Sequence, residues 1–287
     1  MKAPRFEYRA ATSVAHATEL LAEYDGDAKV LAGGQSLVPL LNFRLSNPAA
    51  LVDINGLGEL GGHRLGADEL HVGAVCRHRE IERDPQIAAR CPAIADAVAQ
   101  IGHVAIRNRG TVVGSIAHAD PAAEWPGLAM LLDAQFTARA VQGERTIAAG
   151  AFFDGFLSTV LDPTEVITAV TFPLPPVASG SAWIEFARRH GDFALVGVGA
   201  VIECADESIT SARIVVTGVS DTPVRVAAAE RVLHGAQPGE ALFAEAGRVV
   251  ATQVDPISDI HGDATYRRRL AQVLTRRALA VAADRAA

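Results

Sequence analysis

No stretch of this sequence is long and apolar enough to cross a bilayer. Its longest nearly uninterrupted apolar run, Phe193 to Ile202, is far short of the roughly 20 residues that a membrane-spanning helix needs. Cysteine is scarce. The three cysteines, Cys76, Cys91 and Cys204, are odd in number and too scattered for a C-x-x-C series, which argues against an iron–sulfur centre ligated by this chain. Each reads instead as a small buried apolar side chain. Positive charge is in deficit. With Lys+Arg 26 against Asp+Glu 33 and a formal net charge of -7, the chain would repel a phosphate backbone. Its densest arginines, Arg267-Arg268-Arg269 and Arg276-Arg277, fall in a C-terminal helical pattern whose other positions are apolar, so nucleic-acid binding is not expected.

Two nucleotide signatures are missing as well. Neither G-x-G-x-x-G nor G-x-x-x-x-G-K-[ST] occurs, so a Rossmann site or a P-loop is disfavoured and any nucleotide must be held in another fold. The N-terminus, Met1 to Tyr8, mixes charges with apolar residues and has no apolar secretory core, which implies a cytoplasmic protein. No metal-ligand spacing joins the histidines, and His16, His63 and His234 read as surface residues. There is no internal repeat or low-complexity tract.

What the sequence holds is a globular composition, 49% hydrophobic and 21% charged, on 287 residues. That length exceeds what one hydrophobic core usually serves, so two or three domains are expected. Thr12 and Ser13 can cap a helix with Val14, Ala17, Leu21 and Tyr24 on one face, ended by Asp25-Gly26-Asp27. A short strand at Lys29–Leu31, an apolar helical segment from Leu37 and a strand at Leu51–Ile54 follow. Beyond His71 the pattern predicts a strand, a short helix through Ile81, a helix over Ile94–Ile101 and another over Trp125–Leu132. Strands are predicted at Gln135–Val141, Arg145–Ala148 and Glu165–Phe172. Pro173 to Gly180, with three prolines and a Ser-Gly pair, is the best linker, placing a boundary near residue 177. After it come three strands, around Ala182–Phe186, Leu195–Glu203 and Ser211–Gly218. Three helices near Val224–Leu233, Glu240–Val250 and Thr265–Ala283 complete an α+β region.

Two glycine-bearing segments carry the chemistry. Ala32-Gly33-Gly34-Gln35-Ser36 follows a predicted strand; Arg109-Gly110-Thr111-Val112-Val113-Gly114-Ser115 leads into Ile116 to Pro121. Glycine lets a backbone approach an anion closely, exposed N–H groups donate to its oxygens, and Ser36, Thr111 and Ser115 add hydroxyls. Alone, each segment reads by default as a tight turn. Converging, they could supply the several donors that a pyrophosphate needs.

Three runs, Leu31 to Leu45, Arg109 to Pro126 and Arg188 to Val196, together resemble the FAD-binding medium subunits of molybdenum hydroxylases, the xanthine dehydrogenase / carbon monoxide dehydrogenase family. The resemblance covers nearly the whole chain, with the motifs in the family's order. It implies a PCMH/vanillyl-alcohol-oxidase-type FAD-binding domain of two α/β subdomains at 1–177 and a smaller α+β domain at 178–287. It implies FAD held non-covalently, its pyrophosphate contacted by Leu31, Ala32, Gly33, Gly34, Gln35, Ser36, Leu37 and Val38 and by Thr111, Val113, Gly114 and Ser115. Glu124 matches the acidic residue that meets the flavin's polyol portion, with Asp120 its competitor, and Ile101 and Ile167 match positions near the cofactor. By the same resemblance a large partner carries the molybdenum-pterin, a small partner carries two 2Fe-2S clusters, and the assembly is a dimer of heterotrimers. This chain would pass electrons from those clusters to an external acceptor, with no catalytic side chain of its own.

There are departures. Val113 stands where relatives commonly have a glycine, and its Cβ resists φ > 0, so the backbone there is expected to stay in the β region or to hold FAD more loosely. Phe193 stands where some relatives carry a tyrosine; it can stack on the flavin but cannot donate a hydrogen bond. His118 could touch the cofactor or satisfy its own loop backbone, and Asp192 and Arg188 read as a turn or interface pair. Two rivals remain, a free-standing FAD oxidoreductase of the same fold and a flavin-free assembly subunit.

Overall fold

The computed structural model describes residues 2–286; Met1 and Ala287, the outer ends of the two expected regions, lie outside the described residues. The chain begins with a small parallel unit. It comprises β1 (Glu7–Ala10), α1 (Val14–Glu23), β2 (Ala28–Leu31), α2 (Leu37–Phe43) and β3 (Ala50–Asp53). Strand β3 lies between β1 and β2 and pairs parallel with both. Helix α1 starts where expected: Ser13 Oγ accepts from the His16 N–H at 3.0 Å, supplying a partner to a free first-turn donor. Strand β1 was not predicted, because its four residues are mostly exposed and carry no apolar alternation.

The second unit contains β4 (His63–Leu65), β5 (Glu69–Gly73), α3 (His78–Glu82), α4 (Pro85–Arg90), α5 (Pro92–Val98), α6 (Val104–Arg107), α7 (Val112–His118) and α8 (Glu124–Leu131). It continues through β6 (Gln135–Ala140), β7 (Gly143–Ala148), β8 (Phe153–Gly155), β9 (Ser158–Thr159) and β10 (Val166–Pro173). Five of these strands form an antiparallel sheet, β4-β5-β10-β6-β7. The short helices α4 and α6 went unpredicted, although Asp84-Pro85 is a legible start: Asp84 caps by accepting from the Gln86 N–H at 2.8 Å, and Pro85 takes the first helical position.

The third unit comprises β11 (Ser179–Phe186), β12 (Val196–Ala205), β13 (Ser208–Thr217), β14 (Val224–Arg225), α9 (Ala227–Leu233), α10 (Glu240–Gln253) and α11 (Ala264–Ala286). Its strands form one antiparallel sheet in chain order. The apolar run noted in the sequence becomes β12, an interior strand buried on both faces. Val196, Val198, Ala200 and Ile202 join the cluster under α9 to α11. Val201 joins the large cluster of the second unit, and a Cβ on Gly199 would meet Leu131 of α8 at 2.8 Å. Double-sided burial removes the alternation that a half-exposed strand would show. The proline segment is shorter than a linker: β11 begins inside it, and the Ser179 N–H and hydroxyl both donate to the Pro176 carbonyl. Helix α8, buried through Trp125, Leu128 and Leu131, sits between the second unit and the third, where Gly127 gives room to the Trp183 ring.

Candidate functional site

Strand β2 delivers the chain into the first glycine segment. Gly34 has φ 72°, the left-handed region that favours glycine. A Cβ on Gly33 would lie 2.5 Å from the Arg109 carbonyl oxygen and 2.7 Å from Gly110 Cα, so the two glycine segments touch backbone to backbone. The N–H groups of Gly33, Gly34, Gln35 and Ser36 donate to no acceptor among the described residues, and the Ser36 side chain makes no capping bond to α2. These are donors waiting for an acceptor.

The second segment is not the loop that its glycines suggested. Thr111 caps α7 through a bond from the Gly114 N–H to its hydroxyl at 3.1 Å, and helix begins at Val112. Val113 is therefore neither in the β region nor at positive φ. It is a helical residue, 4% exposed, in a position where a β-branched side chain costs little. Gly114 is the constrained position, since a Cβ there would press on the Thr111 hydroxyl at 2.5 Å and displace the cap. The Val112 N–H is taken by the Cys76 carbonyl at 3.1 Å, leaving the Val113 N–H uncommitted.

Polar bonds hold the segments in register. Asn55 Nδ2 donates to the Ala32 carbonyl at 2.8 Å, Arg77 Nη2 donates to Asn55 Oδ1 at 2.6 Å, and Arg77 Nη1 donates to the Arg109 carbonyl at 2.5 Å. Nearby, Arg107 pairs with both oxygens of Glu82 and donates to the carbonyls of Ile101 and Gly102, fixing that wall.

The segments border a cleft of about 630 Å³. All the residues expected to hold cofactor line it except Leu31 and Val38. Those two line a second cavity of about 410 Å³, with Asp53, Asn55 and Arg109, which shares Ala32 to Gln35 with the cleft. Ala32 to Leu37, Thr111, Val113, Gly114, Ser115, Ile101 and Ile167 form the walls, while His118, Asp120 and Glu124 follow along α7 and into α8. His118 is half-buried and its ring makes no hydrogen bond among the described residues, so it does not bind its loop backbone; Asp120 accepts from the Ala122 N–H at 2.9 Å. Phe193 arrives from the loop between β11 and β12 with 58% of its surface exposed. That loop abuts the opposite wall, where a Cβ on Gly191 would lie 3.0 Å from the Gly102 carbonyl. The expected Asp192–Arg188 pair does not form: Asp192 pairs with Arg189 at 3.2 Å, and Arg188 donates to the His261 carbonyl. Lining residues that the sequence reading missed include Lys29, His78, Gly110 and Leu161. Only Gly110, lying within the quoted motif, had a signal.

Glu124 is the buried acid of the cleft. Burial, then the nearby Glu185 carboxylate, holds its carboxyl well above the usual range. Glu185, on β11, is raised to about 7 by burial and accepts from Trp183 Nε1 at 2.8 Å. Elsewhere, His63 is not a free surface residue: its Nε2 lies 2.8 Å from Asp84, and donor atoms of His63, Cys76 and Glu80 come within 4.8 Å of one another. Cys76 is fully buried, which pushes its thiol up strongly.

A cleft with unused backbone donors where two glycine segments meet, an apolar wall and an exposed aromatic ring fits a flavin dinucleotide. The fold and cleft together define a flavoprotein whose nucleotide is held outside a Rossmann sheet. Residues 4–175 match the FAD binding domain in molybdopterin dehydrogenase, and residues 181–282 match the CO dehydrogenase flavoprotein C-terminal domain. The chain is 42% identical to the subunit alpha of the 6-hydroxypseudooxynicotine dehydrogenase complex of Paenarthrobacter nicotinovorans, over 100% of this chain and 97% of that one. It superposes on carbon monoxide dehydrogenase of Hydrogenophaga pseudoflava with TM-score 0.97 at 35% identity, covering 100% of both chains. It superposes on quinoline 2-oxidoreductase of Pseudomonas putida 86 with TM-score 0.95 at 37% identity, covering 100% and 99%. The chain belongs to the FAD-binding medium subunits of the molybdenum hydroxylases, and is a flavoprotein subunit of an oxidoreductase. No described helix is long and apolar enough to cross a membrane.

Proposed function

We propose that this chain is the electron outlet of a molybdenum hydroxylase in the cytoplasm. A large partner subunit would carry the molybdenum-pterin, a small partner would carry 2Fe-2S clusters, and two such heterotrimers would pair. The observation that carries the reading is the construction of the cleft: many backbone donors where the two glycine segments meet, apolar walls and Phe193 at its rim. Bound FAD supplies two-electron redox chemistry that can be loaded one electron at a time, and the protein supplies position and surroundings.

In this reading the residues before about 177 hold the dinucleotide. The uncommitted N–H groups of Gly33 to Ser36 and of Val113 face the pyrophosphate, and Glu124 meets the polyol chain. The residues after about 177 contribute the Phe193 loop, whose exposed ring can lie against the flavin. Relatives that are themselves subunits of dehydrogenase complexes support the assignment of partners.

The test is a visible spectrum of the purified chain, with the released cofactor identified after acid precipitation. The partners are then added, and flavin bleaching under anaerobic substrate is recorded with the mass of the assembly. Non-covalent FAD, bleaching only with both partners, and a mass of two heterotrimers are expected. Flavin reduction by substrate without partners would point to a free-standing oxidoreductase. No flavin even with partners would point to an assembly subunit.

A further inference from the structure

One buried polar group on the cleft wall has no role in the reading above. His78 opens α3 and is 4% exposed. Its Nδ1 accepts a hydrogen bond from Trp125 Nε1 at 3.0 Å, with the two rings nearly parallel at 17°. An indole N–H can only donate, so Nδ1 must carry a lone pair and the proton of the neutral ring must sit on Nε2. Burial, with Arg107 and Arg77 nearby, lowers the ring to about 3, so the neutral form holds throughout the neutral range.

The Nε2–H so fixed has no acceptor among the described residues. It lies where the two glycine segments meet. A Cβ on Gly110 would stand 2.7 Å from Nε2, a Cβ on Gly33 would stand 2.7 Å from Gly110 Cα, and the His78 N–H binds the Gly110 carbonyl at 3.0 Å. His78, Gly110, Thr111 and Gly33 all line the same cleft. His78 Nε2 is not among the fully enclosed unpartnered atoms of the described residues, which are Arg79 Nε, Thr217 Oγ1 and Arg267 Nε. On the cleft wall it therefore stays open to whatever fills the cleft, and an oxygen of a bound ligand can accept from it.

We propose that His78 is a further cofactor-binding residue: its Nε2–H, held in that tautomer by Trp125, donates to a pyrophosphate oxygen of FAD. Trp125 is then a positioning residue, acting on the ligand only through the imidazole. The inference rests on the flavin reading, and extends it from backbone donors to a side chain that the family motifs do not single out.

The experiment compares FAD with riboflavin, which has the same ring and polyol but no phosphate, on the full chain and on His78→Phe. Dissociation constants come from quenching of flavin fluorescence. Loss of one hydrogen bond to a charged acceptor is expected to weaken FAD by roughly ten- to a hundredfold and to leave riboflavin unchanged. In parallel, the imidazole 15N and 1H resonances of the unaltered chain should show a single Nε2–H tautomer at neutral pH, whose proton shifts on adding FAD and not on adding riboflavin. Equal affinities for both proteins, or equal losses for both ligands, would overturn the proposal, the latter by showing a structural role only. Should His78→Phe fail to fold, an Nε2–H resonance that FAD does not move overturns it equally. If the unaltered chain binds neither flavin, the flavin reading itself fails, an outcome separable from a defect confined to the variant.

Discussion

Arg77 and Asn55 are joined by a hydrogen bond of 2.6 Å from Nη2 to Oδ1, and this bond couples the two halves of the cleft. Asn55 reaches one glycine segment through the Ala32 carbonyl; Arg77 reaches the other through the Arg109 carbonyl. If the pair acts as one strut, Arg77→Ala and Asn55→Leu should each weaken FAD by about tenfold, close to one charge-assisted bond of about 1.5 kcal/mol. The double variant should be little worse than either single one. Fluorescence titration of the four proteins forms the cycle, and fully additive losses would show that the residues act separately.

Gly33 and Gly34 are irreplaceable for different reasons, and substitution should separate them. Alanine at 33 meets backbone, the Arg109 carbonyl and Gly110 Cα, which cannot rotate away; alanine at 34 meets only the Leu31 and Val38 side chains, at 3.3 Å, but must hold φ 72°. Gly34→Ala should cost about 1–2 kcal/mol. Gly33→Ala should cost more and abolish FAD binding by parting the segments. Denaturation midpoints with and without FAD check the order, and a milder Gly33→Ala would contradict the close approach.

Much of this could be read from the residues, and the misreadings have physical causes. Elements whose burial is one-sided, or whose ends are capped, were legible: α1 through Ser13 and its apolar face, and α10 and α11 through their spacing. Strand β10 was also found, although as a central strand it is buried at neighbouring positions on both faces rather than alternately. Strand β1 was not, because its stability comes from pairing with β3 rather than from its own pattern. Both glycine segments were found, yet α7 was mistaken for a loop because glycine reads as a breaker, and only the Thr111 cap reveals a helix start. The neighbourhood of His63, Cys76 and Asp84 depends on the β4–β5 register. That of Glu124 and Glu185 depends on α8 packing on the third unit. Neither leaves a local trace in sequence.

The helical placement of Val113 reverses what its sequence position suggested. A glycine substituted there would be expected to restore phosphate binding if the segment were a loop. In α7 it should instead remove a buried side chain and lower helix propensity, destabilising the chain by about 2–3 kcal/mol with no gain in FAD affinity. Urea denaturation and flavin titration of Val113→Gly measure both quantities. Tighter FAD binding would return the segment to the loop reading.

Glu124 and Glu185 make the cofactor-free chain sensitive to pH in a defined direction. Both carboxyls are raised in the folded protein, Glu185 to about 7 by burial and Glu124 by burial and its neighbour. A carboxyl with a raised folded-state pKa binds more protons folded than unfolded, so its contribution is complete below the unfolded value of about 4.3. It is then lost as pH rises through the folded value. Stability should therefore fall between about pH 5 and pH 8, opposite to the trend of a chain dominated by paired carboxylates. Glu185→Gln keeps an acceptor for Trp183 Nε1 and removes the titration, so it should flatten the slope and be the more stable protein at pH 8. Urea denaturation across this range is the measurement. A variant whose stability runs parallel to that of the unaltered chain would show that the two carboxyls do not share a buried environment.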